Sequence, residues 1–250
     1  MKLLVIVLCL FSERYLIHAA SLNRFTWFAR YFNAINQRLP EGSALANPYM
    51  RLLAVLLPLV LVTFLVLFLF CHILFGFIYL LLNIVIFYYC LGPNNPFYPV
   101  ATDKSDEEDD SAARYYFAAV NGQLFAVIFW YILLGPLAVL VYRLLSLSQA
   151  QAQTAEAAGT ITRYLDWITA RVTVLLYLLV GNFQRGFSFF TQHVLSRPDQ
   201  NELLLGQGGI LAARTSEHDV VTLPQAQTLV EHALIVYLVF LAFFTLVAWL

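Results

Sequence analysis

Five polar side chains stand inside stretches of chain that are otherwise apolar: Glu13, Arg14, Asn121, Asp166 and Arg171. Their setting makes them informative, because an unpaired charge at the centre of a bilayer costs several kcal/mol even on lenient scales. Glu13 and Arg14 are sequence neighbours, so on a helix they point about 100° apart and cannot share one face. Each is expected to reach a partner on another helix. Two chemistries suit such a cluster: a polar pocket between helices for a phosphate or similar anion, or an ion-pair network that fixes helix register. The structural alternative weighs somewhat more. Asn121 lies in the first turns of its apolar helix, where an amide more often bonds a neighbouring helix than a ligand.

Other motifs are weaker. The run 103–110 carries six carboxylates but lacks the spacing and glycine of a calcium loop, and it reads as a solvated charge run ahead of a membrane helix. Gly206-Gln207-Gly208-Gly209 has no following Lys-Ser/Thr, fails as a phosphate loop and reads as a flexible turn. His193, His218 and His232 lack metal-ligand spacing, and no serine sits in a Gly-x-Ser-x-Gly elbow, so hydrolase chemistry has no support. Cys9, Cys71 and Cys90 are odd in number and form no Cys-x-x-Cys pair, which argues against a zinc site or a disulfide framework. No motif names a cofactor.

The elements that must position these residues follow from composition. Of 250 residues 61% are apolar and only 12% are charged, about half the usual share of roughly 25%. That excludes an ordinary soluble domain and a disordered chain. The net charge of −1 lacks the basic surplus of a nucleic-acid binder. The expected fold is all-α: a polytopic helical membrane protein with about five to six transmembrane helices and an amphipathic interfacial helix, whose first partner is the lipid bilayer.

Residues 52–91 contain no charge and, as one helix, would run roughly 60 Å, twice the ~30 Å hydrocarbon core. They predict a transmembrane hairpin turning near Cys71 to Gly76. Residues 117–142 form another charge-free span, with a kink at Gly135-Pro136 that leaves one carbonyl without its donor. Residues 161–181 and 233–250 supply two more, the last ending at Trp249-Leu250 in an aromatic position suited to the interface. Residues 1–20 resemble a signal peptide in Lys2, an apolar stretch and Ala19-Ala20; Ile17 is a poor residue for cleavage, and the segment is read as a retained first crossing.

If all six segments cross, the connections 21–51, 92–116 and 182–232 hold nine of the lysines and arginines, against three on the other side. Those connections are therefore assigned to the cytoplasm, with both termini outside. Glu13 and Arg171 then lie at matching depth, which predicts that they pair, with Arg14 and Asp166 close by. Residues 22–39 place Phe25, Phe28, Phe32, Ile35 and Leu39 within an arc of about 80°. A basic helix with one aromatic face suits the headgroup boundary; packing on the other helices explains the stripe nearly as well.

Several segments together resemble the AmpE-like inner-membrane proteins of the CobD/CbiB superfamily. They are the opening run ending Phe11-Ser12-Glu13-Arg14, residues 121–143 with their Asn, Phe-Trp, Gly-Pro and Tyr-Arg features, and Leu165-Asp166-Trp167-Ile168-Thr169-Ala170-Arg171. The last is similar to the superfamily's Asp-Trp-Ile-Pro-Ala-Arg pattern, with Thr169 in place of proline. The tail, with Thr222-Leu223-Pro224 ahead of the last helix, is similar in layout.

The resemblance implies a multi-pass bacterial inner-membrane accessory protein linked to β-lactamase induction and cell-wall recycling. In that role the five polar residues would bind an anionic small molecule or lipid, and the cytoplasmic loops would meet a protein partner. The superfamily also contains ligases acting on phosphorylated and corrinoid substrates. This chain lacks their Gly-Asp-Pro start and Asn-x-Gly-Trp-Pro region, which sets a membrane-embedded ligase or transferase second. A small transporter comes third, since no inverted repeat supports it.

Overall fold

Helix ends are written into the sequence at several points. Asn47-Pro48 combines an Asn N-cap with proline at the first helical position, and the Asn47 Oδ1 accepts from the Tyr49 amide at 3.0 Å, opening a helix over Pro48–Phe70. Gly76, at φ 83, starts the next over Phe77–Cys90. Thr222-Leu223-Pro224-Gln225 is half of a capping box: the Gln225 side chain accepts from the Thr222 amide at 3.0 Å, ahead of a helix over Leu223–Val247.

The computed structural model describes residues 2–15, 25–38, 47–70, 76–92, 97, 110–214 and 219–247. Among them are eleven α-helices and no strand. These are α1 (Lys2–Tyr15), α2 (Thr26–Asn36), α3 (Pro48–Phe70), α4 (Phe77–Cys90), α5 (Ser111–Val120), α6 (Ala126–Leu134), α7 (Pro136–Ser148), α8 (Ala155–Val180), α9 (Phe183–His193), α10 (Asn201–Ala213) and α11 (Leu223–Val247). A π-helical turn, Asn121–Phe125, joins α5 to α6. Cys71, His72, residues 103–109, His218 and Trp249-Leu250 lie outside the described residues.

Among the described residues three helices are long and apolar enough to cross a membrane: Pro48–Phe70, the run Ser111–Leu134, and Leu223–Val247. In α3 only 17% of the apolar window is buried within the protein; Leu61, Val62, Leu65, Phe68 and Leu69 point outward. Such a surface is disfavoured in water and suits lipid.

The chain divides into two compact units. The first takes Met1–Ser12, Ser21–Pro93 and Val127–Leu165. Its core joins Phe28 and Phe32 of α2 to Leu52, Val55 and Leu56 of α3, Leu144 and Leu145 of α7, and Ala157 and Ala158 of α8. Each buried phenylalanine contributes about 1.5–3 kcal/mol. The aromatic stripe of α2 thus packs on other helices, and the Tyr31 hydroxyl donates to the Val55 carbonyl at 2.9 Å.

In the same unit Gly135, at φ 89, separates α6 from α7, with Pro136 at the first helical position of α7. The pair ends one helix and begins another rather than kinking a continuous one. A proline at 136 cannot donate to Ile132 four residues back. The Lys2 ammonium donates there instead, at 2.8 Å.

The second unit takes Glu13–Ala20, Asn94–Ala126 and Asp166–Leu250. Helix α10 is its centre and packs on α5, α9 and α11. Gly206, Gly208 and Gly209 lie buried inside α10, so this stretch is helix, contrary to the flexible turn expected from sequence. A Cβ at Gly208 would lie 2.7 Å from the Val174 Cγ1, and one at Gly209 would strike the Phe117 ring. The glycines let backbones approach closely.

Candidate functional site

All five residues singled out by their setting, Glu13, Arg14, Asn121, Asp166 and Arg171, belong to the second unit. Arg171 is held by α8's own turn and by the segment after α9. Its guanidinium donates to the carbonyls of Trp167 (2.9 Å), Val194 (3.0 Å) and Ser196 (2.9 Å). It also donates to the Ser196 hydroxyl at 3.0 Å and to the Asn201 side-chain oxygen. The cation stacks 4.4 Å from the Trp167 ring, and the Trp167 indole donates to the Ser196 carbonyl at 2.8 Å. At 8% exposure Arg171 is a clasp fastening residues 194–201 onto α8. Its fork of donors is matched by fixed neutral acceptors, and the Glu13–Arg171 pair expected from depth is not among these contacts.

Arg14 instead meets Glu231 of α11, with a closest approach of 2.7 Å and a second contact of 3.2 Å. Phe97 lies under the cation at 5.5 Å. Both partners of the ion pair are 33% exposed, whereas Glu13, one residue back, is buried. Tyr116 is also buried. The cluster therefore has a solvent-reached ion pair above buried polar groups.

Asn121 opens the π-turn and faces α8. Its amide donates to the Thr169 hydroxyl at 3.3 Å and its oxygen accepts from the Thr173 hydroxyl at 2.8 Å. Thr169 in turn donates to the Asp166 carbonyl at 3.2 Å. Threonine at 169, where the resembled pattern has proline, keeps α8 helical and supplies a hydroxyl to Asn121. The Asp166 side chain lies half-buried on α8.

Asp110, last of the acidic run, is buried rather than solvated. It accepts from the Val221 amide at 2.8 Å and pairs with Arg214. It thereby ties the start of α5 to the chain on both sides of residues 215–218.

Glu231, Asn201, Ser196 and Thr173 were not singled out from sequence. Glu231 had a signal: the capping box at Thr222–Gln225 starts the last helix ten residues earlier than the apolar run at Ala233, which makes Glu231 another charge inside an apolar helix. Nothing in residue type marks Ser196 or Asn201 as acceptors for Arg171. Among the described residues no group of three or more His, Cys, Asp or Glu side chains is placed to hold a metal ion. Comparison with family models, with curated proteins and with solved structures finds no match for the chain.

Proposed function

We propose that this chain is a multi-pass accessory protein of the bacterial inner membrane. Its role would be AmpE-like, serving cell-wall recycling and β-lactamase induction without catalysing a reaction, and its ligand-responsive cation would be Arg14. The resemblance of residues 11–14, 121–143 and 165–171 supports the family; three long apolar helices support the membrane. Helix α8 adds a further membrane-facing element, since Tyr164, Ile168, Leu175 and Leu179 are all exposed and fall within about 60° on a helical wheel. Together with the shorter α1 and α4, the three long helices support the proposed count of about five to six spans.

The observation that carries the assignment of Arg14 is the contrast between the two arginines. Arg171 is saturated by fixed acceptors and shielded. Arg14 is one-third exposed, and its carboxylate partner is equally so. A partly exposed ion pair is weak, about 0–1 kcal/mol, so an incoming phosphate or lipid headgroup displaces Glu231 at little cost.

Binding of phosphatidylglycerol and of inorganic phosphate to the detergent-purified protein tests this. Arg14→Gln is expected to lose about tenfold in affinity, near the 1.4 kcal/mol of one charge-assisted contact, while its melting temperature stays near wild type. Arg171→Gln is expected to lower the melting temperature. Undiminished binding by Arg14→Gln refutes the assignment.

A further inference from the structure

We propose that residues 181–198, helix α9 and the turn after it, form a second membrane-contact element that rests its aromatic flank and Leu195 on the bilayer surface. Helix α9 has three faces. Gly186 is buried, and a Cβ there would press on Leu178 of α8 and lie 3.6 Å from Leu211 of α10, so this face is seated on the protein. Phe183 and Phe187 stack with ring centroids 4.8 Å apart and are 41% and 42% exposed. They lie about 40° apart on the helical wheel. Gln184, Ser188, Thr191 and Gln192 are also exposed and occupy the next arc, about 80–180° from Phe183. One flank is suited to hydrocarbon and its neighbour to water, as a helix at a lipid boundary requires.

The turn adds to this. Leu195 is 85% exposed, yet it sits between Val194 and Ser196, whose carbonyls are pinned by Arg171 at 3.0 and 2.9 Å. A large aliphatic side chain is thus presented to the outside on a backbone that cannot fold it away. The apolar flank continues onto α8 through the exposed Leu175 and Leu179.

Charge selects the occupant. Residues 181–198 hold Arg185 and Arg197 and no carboxylate, which resumes only at Asp199. Cations flanking exposed phenylalanine and leucine match lipid phosphates above acyl chains. The partner is therefore lipid rather than a second copy of the chain.

This inference rests on the membrane reading, and the test separates the two. Single cysteines at Phe187, Leu195, Gln184, Gln192 and, in α3, Leu65 are introduced with Cys9, Cys71 and Cys90 replaced by alanine, and each is labelled with an environment-sensitive fluorophore. The full chain is reconstituted in vesicles of phosphatidylcholine and phosphatidylglycerol. Probes at 187, 195 and 65 are expected to be quenched several-fold more by lipid-borne spin labels than by aqueous iodide, with 184 and 192 showing the reverse. If 65 follows the lipid quencher while 187 and 195 follow iodide, the second contact element is overturned and the membrane reading survives. If 187 and 195 are shielded from both quenchers, protein covers this face and the proposal is equally overturned. If 65 itself follows iodide, the membrane reading falls.

Discussion

Adding one methyl group at Gly209 tests how closely α10 crosses α5. The new Cβ would strike the Phe117 ring, with Cδ1 at 2.8 Å, where carbon atoms ordinarily rest about 3.5–4.0 Å apart. Phe117 has nowhere to turn: it is wholly buried, and Tyr177 lies 5.1 Å away between ring centroids. Helix α10 must therefore retreat or the two rings must repack together. Overpacking of this kind costs about 1–3 kcal/mol, and the confined ring places Gly209→Ala at the upper end. Replacing a helical glycine by alanine returns about 1 kcal/mol, which leaves a net loss of about 2 kcal/mol. In a chain of this length that lowers the melting temperature by about 4–8 °C. Thermal unfolding of the detergent-solubilised protein measures it. Gly159→Ala is the matched control, because nothing lies within 4 Å of the added atom; the propensity gain acts alone and raises stability by about 0.5–1 kcal/mol. If Gly209→Ala melts at or above wild type, the close crossing is refuted.

Arg171→Lys keeps the charge but reaches fewer of the five acceptors; it is expected to cost about 2 kcal/mol and to speed proteolysis within residues 194–200. Asn121→Leu strands the Thr173 hydroxyl, while Thr169 keeps its bond to the Asp166 carbonyl; the cost is about 1–3 kcal/mol, most of it recovered when Thr173 is also changed to valine, as thermal melts of the series would show. Lys2→Met removes the donor to the Ile132 carbonyl and is expected to cost about 0.5–1.5 kcal/mol. Burial holds the Tyr31 phenol above its ordinary value of 10.0, so its contribution is complete below that pH and is lost as the pH climbs through the raised value. Tyr31→Phe is expected to flatten this alkaline loss in a pH series of melts.

Elements with local causes were legible. The break between α3 and α4 follows from 40 apolar residues being too long for one span, whereas Gly135-Pro136, expected as a kink within one helix, is a boundary between two because Gly135 takes a positive φ. The face of α2 was visible from its 3-4 periodicity, but periodicity says only that a face is buried, and both lipid and α3 satisfy it. Gly206–Gly209 was misread because composition equates glycine with turns, whereas here the missing side chains admit Phe117 and Val174. The expected pairing of Glu13 with Arg171 missed for a related reason. Depth arguments match charge with charge, yet Arg171 is satisfied by backbone carbonyls of Val194 and Ser196, and carbonyls have no signature in residue type. Glu231 was overlooked because the last segment was started at its first wholly apolar residue rather than at its cap.

The Asp110 latch also bears on biogenesis. Its two partners, Arg214 and Val221, lie 104 and 111 residues downstream. At about 5–20 residues per second of synthesis, the carboxylate waits roughly 5–20 s for Val221 to be made. Through that interval α5 has emerged with a charged end and no counterpart. The second unit is thus closed only once Val221 has been made, and a nascent chain stalled before residue 201 exposes the surface of α5 that α10 later covers.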